Sequence, residues 1–427
     1  MRALDEHRAQ ALALAAALPP VEVPLLDALG LVLAVDVTTQ VALPRWDNSA
    51  MDGYAVRAAD VATADEGGPV VLRVVGDVAA GSADEPLVGP GEAVRIMTGA
   101  PLPAGADAVV PVELTTDPQS ADEAAGDPRV PGWVGTGGRV VVRAPVAAGA
   151  HVRRVGEDAA AGDVVLSAGQ LVGPAHVAAA ASVGRATLVV HRRPRIAVLS
   201  TGDELVPPGQ ELRRGQIPDS NSWLLAAAVQ DAGAQALRLG AVGDDPEALH
   251  ALLRALDAGE HGTVDGIVTS GGVSVGAFDV VKAALADEPG VQFVRVAVQP
   301  GKPQGLGRLP AGTPVWTLPG NPVSAYASFE MFVRPAVRRM LGLDDVGRPR
   351  EHAAADEGWR TPPARAQLMP VRRVPTDGAG RPRVRPATAR GSGSHLVARL
   401  ALAHGLAIVP AEVDEVHAGD TLEVIWT

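Results

Sequence analysis

No cysteine occurs among the 427 residues, so disulfides, thiolate-bound zinc, iron–sulfur clusters and thiol nucleophiles are excluded together. Positive charge is also short, with 37 Lys and Arg against 49 Asp and Glu, for a formal charge of −12. A general nucleic-acid binder would carry a basic patch or stripe. An anionic substrate would need a locally positive pocket inside an unfavourable overall field. No apolar run reaches the roughly 20 residues of a membrane span. The run at 11–18 follows Asp5 and Glu6 and stops at Pro19-Pro20; this is the pattern of an N-terminal helix ended by proline, unlike a secretory signal. The histidines do not cluster, which argues against a His-ligated metal. Together these absences predict a cytoplasmic protein.

Aromatics supply 3% of the chain, and only two lysines (Lys282, Lys302), three asparagines (Asn48, Asn221, Asn321) and two tyrosines (Tyr54, Tyr326) occur. Where such rare residues stand is informative. The whole chain is 47% hydrophobic and 20% charged, an ordinary soluble composition, and the length predicts two to four domains.

Four regions separate by pattern. Residues 1–43 read as helical, with Leu25, Leu26, Leu29 and Leu31 on a short amphipathic segment. Residues 44–146 are rich in Gly and Pro with short Val-rich runs, VVLRVV (70–75) and RVVVRAPV (139–146), the texture of small β structure. Their least regular part, 115–138, reads as a surface loop. From about 193 the rhythm becomes strand–loop–helix. RIAVLS (195–200), ALRLGAV (236–242), DGIVTS (265–270), FVRVAV (293–298) and VWTLP (315–319) read as strands. Helices are predicted over 222–232, 246–256, 279–286 and, from a first-turn proline, 322–341. That alternation predicts a mostly parallel sheet covered on both faces. Residues 350–427 return to short β-like pieces and predict a small all-β domain.

Ligands of open α/β sheets bind outside the carboxyl ends of the strands. The five predicted strand ends read STGDEL (200–205), GDD (243–245), SGGVSVGAFD (270–279), QPGKP (299–303) and LPGNPVSA (318–325), all loaded with Gly, Ser, Asp or Lys. Gly271, Gly272 and Gly276 would let backbone approach a phosphate closely, although the same glycines also suit a tight strand-to-helix turn. The loop is neither a Walker A loop nor a GxGxxG fingerprint. Glu204, Asp244 or Asp245, and Asp279, with Asp203 beside the first, put several carboxylates at one edge. At about 4 Å and an effective dielectric of about 20, each pair repels by roughly 4 kcal/mol. A divalent cation would relieve this, and all-oxygen ligands suit Mg²⁺. Each acid alone could equally cap a helix, Asp279 above all. Lys302, between Gly301 and Pro303, reads as a point charge for phosphate or another oxyanion; Lys282 reads as a solvated helix residue. In the β-rich region DNSAMDGYAV (47–56) and GEAVRIMTGAPLPAGADAVV (91–110) are more polar than turns require, and HVRRVGEDAAAGD (151–163) reads as a loop with a basic face.

DNSAMDGYAV, RIMTGAPLPAGADAVV, VRRVGEDAAAGD, RPRIAVLSTGDEL, GQIPDSNS, SGGVSVGAFD, QPGKP, LPGNPVSA and GSGSHL (391–396) together closely resemble, in order, the molybdopterin molybdenumtransferases. This is the MoeA family, which includes the E domain of gephyrin. The resemblance spans almost the whole chain and implies an elongated homodimer of four-domain subunits. A helical linker domain (1–43 and 147–190) would carry an inserted β-rich domain (44–146). A central three-layer, MogA-like α/β domain (191–345) and a C-terminal small β-barrel (346–427) would follow. The implied reaction is the last step of molybdenum cofactor assembly. Adenylylated molybdopterin and molybdate bind with Mg²⁺, AMP is released, and molybdenum passes to the dithiolene sulfurs.

By motif, the resemblance implies a site of Asp52 and Thr98 from the inserted domain and Asp158 from the linker domain. Glu204, Asp244, Asp279, Lys302, Pro319 and Pro322 come from the α/β domain, and Ser394 from the last domain. Glu204, Asp244 and Asp279 would hold Mg²⁺ or position its water. Ser270, Gly271, Gly272 and Ser274 would serve phosphate or molybdate together with Lys302. In this family the site lies between the α/β domain of one subunit and the β-rich domain of its partner. The chain departs from the family pattern at Gln299, where many relatives carry lysine, and at Arg295, which keeps the charge but changes its shape; its 115–138 loop is longer and more acidic. Two other readings compete. A gephyrin-like scaffold for a protein partner would not need Glu204, Asp244 and Asp279. A molybdopterin adenylyltransferase, itself a possible partner, would not need the inserted and C-terminal domains.

Overall fold

The computed structural model describes residues 1–65, 68–117, 133–273, 279–376, 380–388 and 397–427. The chain forms two units: residues 1–35, 168–177 and 186–427 make the first, and 36–167 with 178–185 the second. None of the described helices is long and apolar enough to cross a membrane.

At the centre of the first unit is a six-stranded sheet. Its elements in chain order are β1 (Arg195–Thr201), α1 (Asn221–Asp231), β2 (Gln235–Val242), α2 (Pro246–Asp257), β3 (Gly266–Ser270), α3 (Val280–Ala284), β4 (Val291–Val294), β5 (Gln304–Arg308), β6 (Pro314–Leu318) and α4 (Pro322–Ser328). The strand order is β2-β1-β3-β6-β5-β4. The first four strands are mutually parallel, and β5 and β4 close that side antiparallel. Burial on both faces explains the unbroken apolar run of β1. Ile196, Val198, Val268 and Trp316 pack towards Leu225 and Val229 of α1 and towards Phe329 and Phe332. Ala197, Leu199, Ile267 and Val315 pack towards Leu249 and Leu253 of α2.

Three elements differ from the sequence expectation. FVRVAV is not one strand: β4 ends at Val294, and Val298–Gln299 pairs instead with Ala366–Val374 of another sheet. Val296 and Val298 are fully buried beside Leu368 and Leu406, and alternation along a chain cannot say which sheet will take it. Strand β5 (QGLGR) is absent from the sequence expectation because its two glycines are weak strand formers. Its glycines are required by packing: a Cβ on Gly305 would lie 2.5 Å from Thr317 Oγ1, and one on Gly307 2.0 Å from Gly290 O. The long helix from Pro322 is interrupted by a π-helical stretch, Phe329–Val333, before it resumes over Arg334–Met340.

The N-terminal region is also less helical than its leucines imply. After the helix Leu4–Ala13, residues Pro20–Pro24 form a strand antiparallel to Thr187–His191. Prolines at both ends confine it to two-stranded edge pairing, and Leu25 to Leu31 follow in turns. In the C-terminal part, Arg350–Ala355, Ala366–Val374, Arg383–Pro386, Gly405–Val409 and Thr421–Trp426 pair in a ring that closes between Ala366–Val374 and Gly405–Val409. This is a barrel filled by Val371, Val384, Ala407 and Val424.

The second unit is built on its own six-stranded sheet, with Gly53–Val56 and Glu92–Ile96 near the middle. Tyr54, Val56, Leu72, Val74 and Val140 fill its core. The predicted 115–138 loop is pinned at its far end, where Val134 is buried and its N–H donates to Tyr54 Oη at 2.7 Å. Residues 118–132 lie outside the described residues.

Candidate functional site

A cavity of about 780 Å³ opens at the carboxyl edge of the parallel strands. It collects Glu204, Asp244, Asp279 and Lys302 with the turn Ser270–Gly272 and the loop Pro319–Pro322. Lys302 reaches this edge although β5 runs antiparallel, because it stands just before the start of that strand. Of the acids and the lysine expected at these strand ends, Glu204, Asp244, Asp279 and Lys302 line this cavity, whereas Asp203 and Asp245 do not. Ser274 and Ser394 lie outside the described residues.

Each group is held by local chemistry. The Glu204 carboxylate folds back over Gly202, whose φ is 145° and where a Cβ would stand 2.5–2.7 Å from the carboxylate. Asp203 and Asp244 exchange bonds: Asp203 N–H donates to Asp244 Oδ2 at 3.3 Å, and Asp244 N–H to Asp203 Oδ1 at 3.0 Å. Which member of the Asp244-Asp245 pair faces the cavity is thereby resolved. Asp245 caps α2 by accepting from Glu247 N–H and Ala248 N–H at 3.0 and 3.2 Å, and Asp244 is the cavity residue. Asp279 stands at the N-cap of α3 but makes no capping bond to it, so the helix-cap explanation for this acid is not realised. The loop bearing Lys302 is tied down by buried Gln304, whose Nε2 donates to Gly301 O at 2.5 Å and to Ser328 Oγ at 2.9 Å.

Asn221 was not singled out as a site residue, yet it joins three loops. Its Nδ2 donates to Ser270 Oγ at 2.8 Å and to Gly320 O at 2.5 Å, and Ser270 Oγ donates onward to Pro319 O at 3.1 Å. Ser270 is 1% exposed, so its hydroxyl proton is spent inside the wall of the cavity. Gly320 rides on Gly271, where a Cβ would meet Gly271 Cα at 3.3 Å. The rarity of asparagine is the one signal the sequence offers for it. Asp219, one residue before the N-cap Ser220, accepts from Ser222 N–H at 3.0 Å and from the Ser222 hydroxyl.

The second unit holds the remaining predicted residues. Asp52 Oδ1 accepts from Thr98 N–H at 2.7 Å and from Thr98 Oγ1 at 2.8 Å. The backbone bond first, and the hydroxyl bond second, hold the Asp52 carboxyl below its ordinary range by stabilising the charged form. The expected basic face around Arg154 is partly neutralised, since Arg154 Nη1 donates to Asp47 Oδ2 at 2.6 Å and Val155 N–H to Asp47 Oδ1 at 2.8 Å. Those bonds, the backbone one foremost, hold the Asp47 carboxyl low. Asp158 is exposed, with its N–H donating to Leu43 O at 2.9 Å.

Among the described residues, no three carboxylates or histidines come close enough to enclose a metal ion by themselves. The donor set still fits Mg²⁺ of the kind that keeps its waters, takes one or two carboxylates and shares a substrate's phosphate oxygens. Glu204, Asp244 and Asp279 line one cavity with Lys302, but the three-carboxylate ligand cluster expected from the sequence is not formed among the described residues, so one or two of these acids would have to serve.

Three family models match along the chain: the MoeA N-terminal region (domain I and II) over residues 2–184, a probable molybdopterin binding domain over 197–339, and the MoeA C-terminal region (domain IV) over 352–426. The chain is 45% identical to molybdopterin molybdenumtransferase 2 of Mycobacterium tuberculosis, with 99% of each covered. It is 36% identical to molybdopterin molybdenumtransferase 1 of the same organism, with 100% of this chain and 99% of the relative covered. A crystal structure of the molybdopterin biosynthesis MoeA protein from Pyrococcus horikosii superposes with a TM-score of 0.80 at 31% identity, covering 99% of this chain and 98% of that one.

Proposed function

The chain belongs to the MoeA family of molybdopterin molybdenumtransferases, and from that premise we propose that its cavity binds adenylylated molybdopterin and molybdate, releases AMP and passes molybdenum to the dithiolene sulfurs. This is the final step of molybdenum cofactor assembly. The observation that carries the reading is that one cavity brings together a cation, Lys302, a turn free of side chains, Gly271–Gly272, and three carboxylates, Glu204, Asp244 and Asp279.

In this reading Lys302 binds a phosphoryl oxygen as a point charge. The turn at Gly271 and Gly272 lets the phosphate approach backbone without a Cβ in the way. One or two of Glu204, Asp244 and Asp279 would hold a Mg²⁺ that keeps its waters, and the ion would supply charge neutralisation and Lewis acidity. Asp279, free of its own helix, orients the water that attacks the adenylyl phosphorus. The anhydride P–O bond at the adenylyl phosphorus breaks, AMP leaves carrying the water's oxygen, the bridging oxygen stays on the molybdopterin phosphate, and the water's proton passes to a carboxylate. The Asn221–Ser270–Pro319 chain of hydrogen bonds holds the turn and the Pro319–Pro322 loop at fixed separation while this happens.

The proposal extends to a homodimer in which Asp52 and Thr98 of one subunit complete the cavity of the other. AMP release from adenylylated molybdopterin by the purified protein, in Mg²⁺ with and without molybdate, tests the reading. Molybdate-dependent release is expected. No release from a folded dimer would overturn it in favour of a scaffold for a protein partner.

A further inference from the structure

The wall of the cavity contains a hydroxyl that no other group among the described residues uses. Thr201 closes β1, lines the cavity and is 6% exposed, and its Oγ1 has no hydrogen-bond partner. Leaving a buried hydroxyl unpaired is costly, so its retention at a cavity wall points to a partner that arrives with a ligand. The register between β1 and β3, with Ser200 opposite Ser270, sets Thr201 beside the glycine turn. A Cβ on Gly271 would stand 2.9 Å from Thr201 Oγ1, and one on Gly272 3.0 Å from it. Both glycines hold positive φ, 98° and 64°, so the space over this hydroxyl is kept clear of side chains. Ser270, the neighbouring hydroxyl, is not available to a ligand because its proton goes to Pro319 O.

We infer that Thr201 is a substrate-binding residue, whose hydroxyl donates a hydrogen bond to a tetrahedral oxyanion seated at the Gly271–Gly272 turn. The inference rests on the reading of the cavity given above and adds to it a contact outside the glycine turn itself. An anion suits the hydroxyl because Lys302 supplies positive charge to the same cavity and because an O–H bond to a charged oxygen is about twice as strong as a neutral one. The oxyanion belongs either to a phosphate of the adenylylated pterin or to molybdate.

Thr201→Val removes the hydroxyl and keeps the shape, and Thr201→Ser keeps the hydroxyl. Two quantities are read for the full-length chain in Mg²⁺: the Kd for adenylylated molybdopterin, and the molybdate concentration giving half-maximal AMP release. Thr201→Val is expected to worsen one of them by about 10- to 100-fold, with Thr201→Ser close to wild type. A change confined to Kd assigns the oxyanion to the substrate phosphate, and one confined to the molybdate requirement assigns it to molybdate. A Thr201→Val protein equal to wild type in both overturns the inference while leaving the functional reading intact. Wild-type protein that fails to bind adenylylated molybdopterin overturns the functional reading, and the inference with it.

Discussion

Asp203 and Asp244 lock two strand ends together, each accepting the other's backbone N–H at 3.0 and 3.3 Å. The exchange fixes the loop after β1 against the loop after β2, and with them the cavity acids Glu204 and Asp244. Asp203→Ala removes one acceptor from an exposed turn, so folding stability should change by less than about 1 kcal/mol. Turnover should fall by about tenfold, since misplacement of a positioned group raises the barrier. Urea midpoints and kcat for AMP release check the two effects separately; a kcat equal to wild type would remove Asp203 from the site's support.

Asp279→Ala and Glu204→Ala should each leave a folded chain and lower turnover by at least about 100-fold, the usual scale for loss of an acid–base or cation-holding group. Neither carboxylate is part of the hydrophobic core, and Asp279 makes no capping bond to α3. Circular dichroism confirms folding, and single-turnover AMP release measures the loss. Near-normal release by a folded Asp279→Ala protein would sink its assignment.

The dimer proposal makes a prediction that a monomer site cannot meet. Asp52→Ala and Asp279→Ala proteins should each be inactive as pure dimers. Mixed and allowed to exchange subunits, they should recover about a quarter of wild-type activity, because half of the dimers are mixed and one of their two sites carries both residues. Titrating one variant against the other gives the curve; no recovery on mixing would show that both residues serve one chain's site.

His7 predicts how stability depends on pH. The ring is 1% exposed and packs edge-on against Phe332 at 4.7 Å. Burial first, and the nearby Arg2 second, lower its pKa from 6.5 to about 4 against the opposing bond with Gln304. The unfolded chain therefore binds a proton below pH 6.5 that the folded chain refuses until about pH 4. Stability is retained above the upper value and lost as pH falls through this window, by about 3 kcal/mol in all. Denaturant midpoints from pH 7 to 4 should fall less steeply for His7→Leu than for wild type. Parallel profiles would show that His7 does not carry this loss.

Much of the central sheet was legible because its buried strands are apolar without interruption and its helices carry strong start signals, Pro246 behind Asp245 and Pro322 behind Asn321. Glu204, Asp244 and Asp279 were legible for a geometric reason, since parallel strands deliver their following loops to one edge, whereas Lys302 comes to that edge as a residue just before antiparallel β5. Strand β5 was hidden because its glycines answer to Thr317 and Gly290, residues distant in the chain. The leucines after Pro24 misled because local spacing says nothing of the partner strand Thr187–His191.

Composition and motif order by themselves determined that the chain has no thiol chemistry, which family it belongs to, and which loops bear charge. Tertiary structure alone decided which of two adjacent aspartates faces the cavity and that Ser270 spends its proton internally. It also decided that Asn221 ties three loops together and that Thr201 is left with an unpaired hydroxyl. These depend on strand register and on whether a donor finds an acceptor within about 3 Å, quantities set by the packing of distant segments that no local pattern encodes.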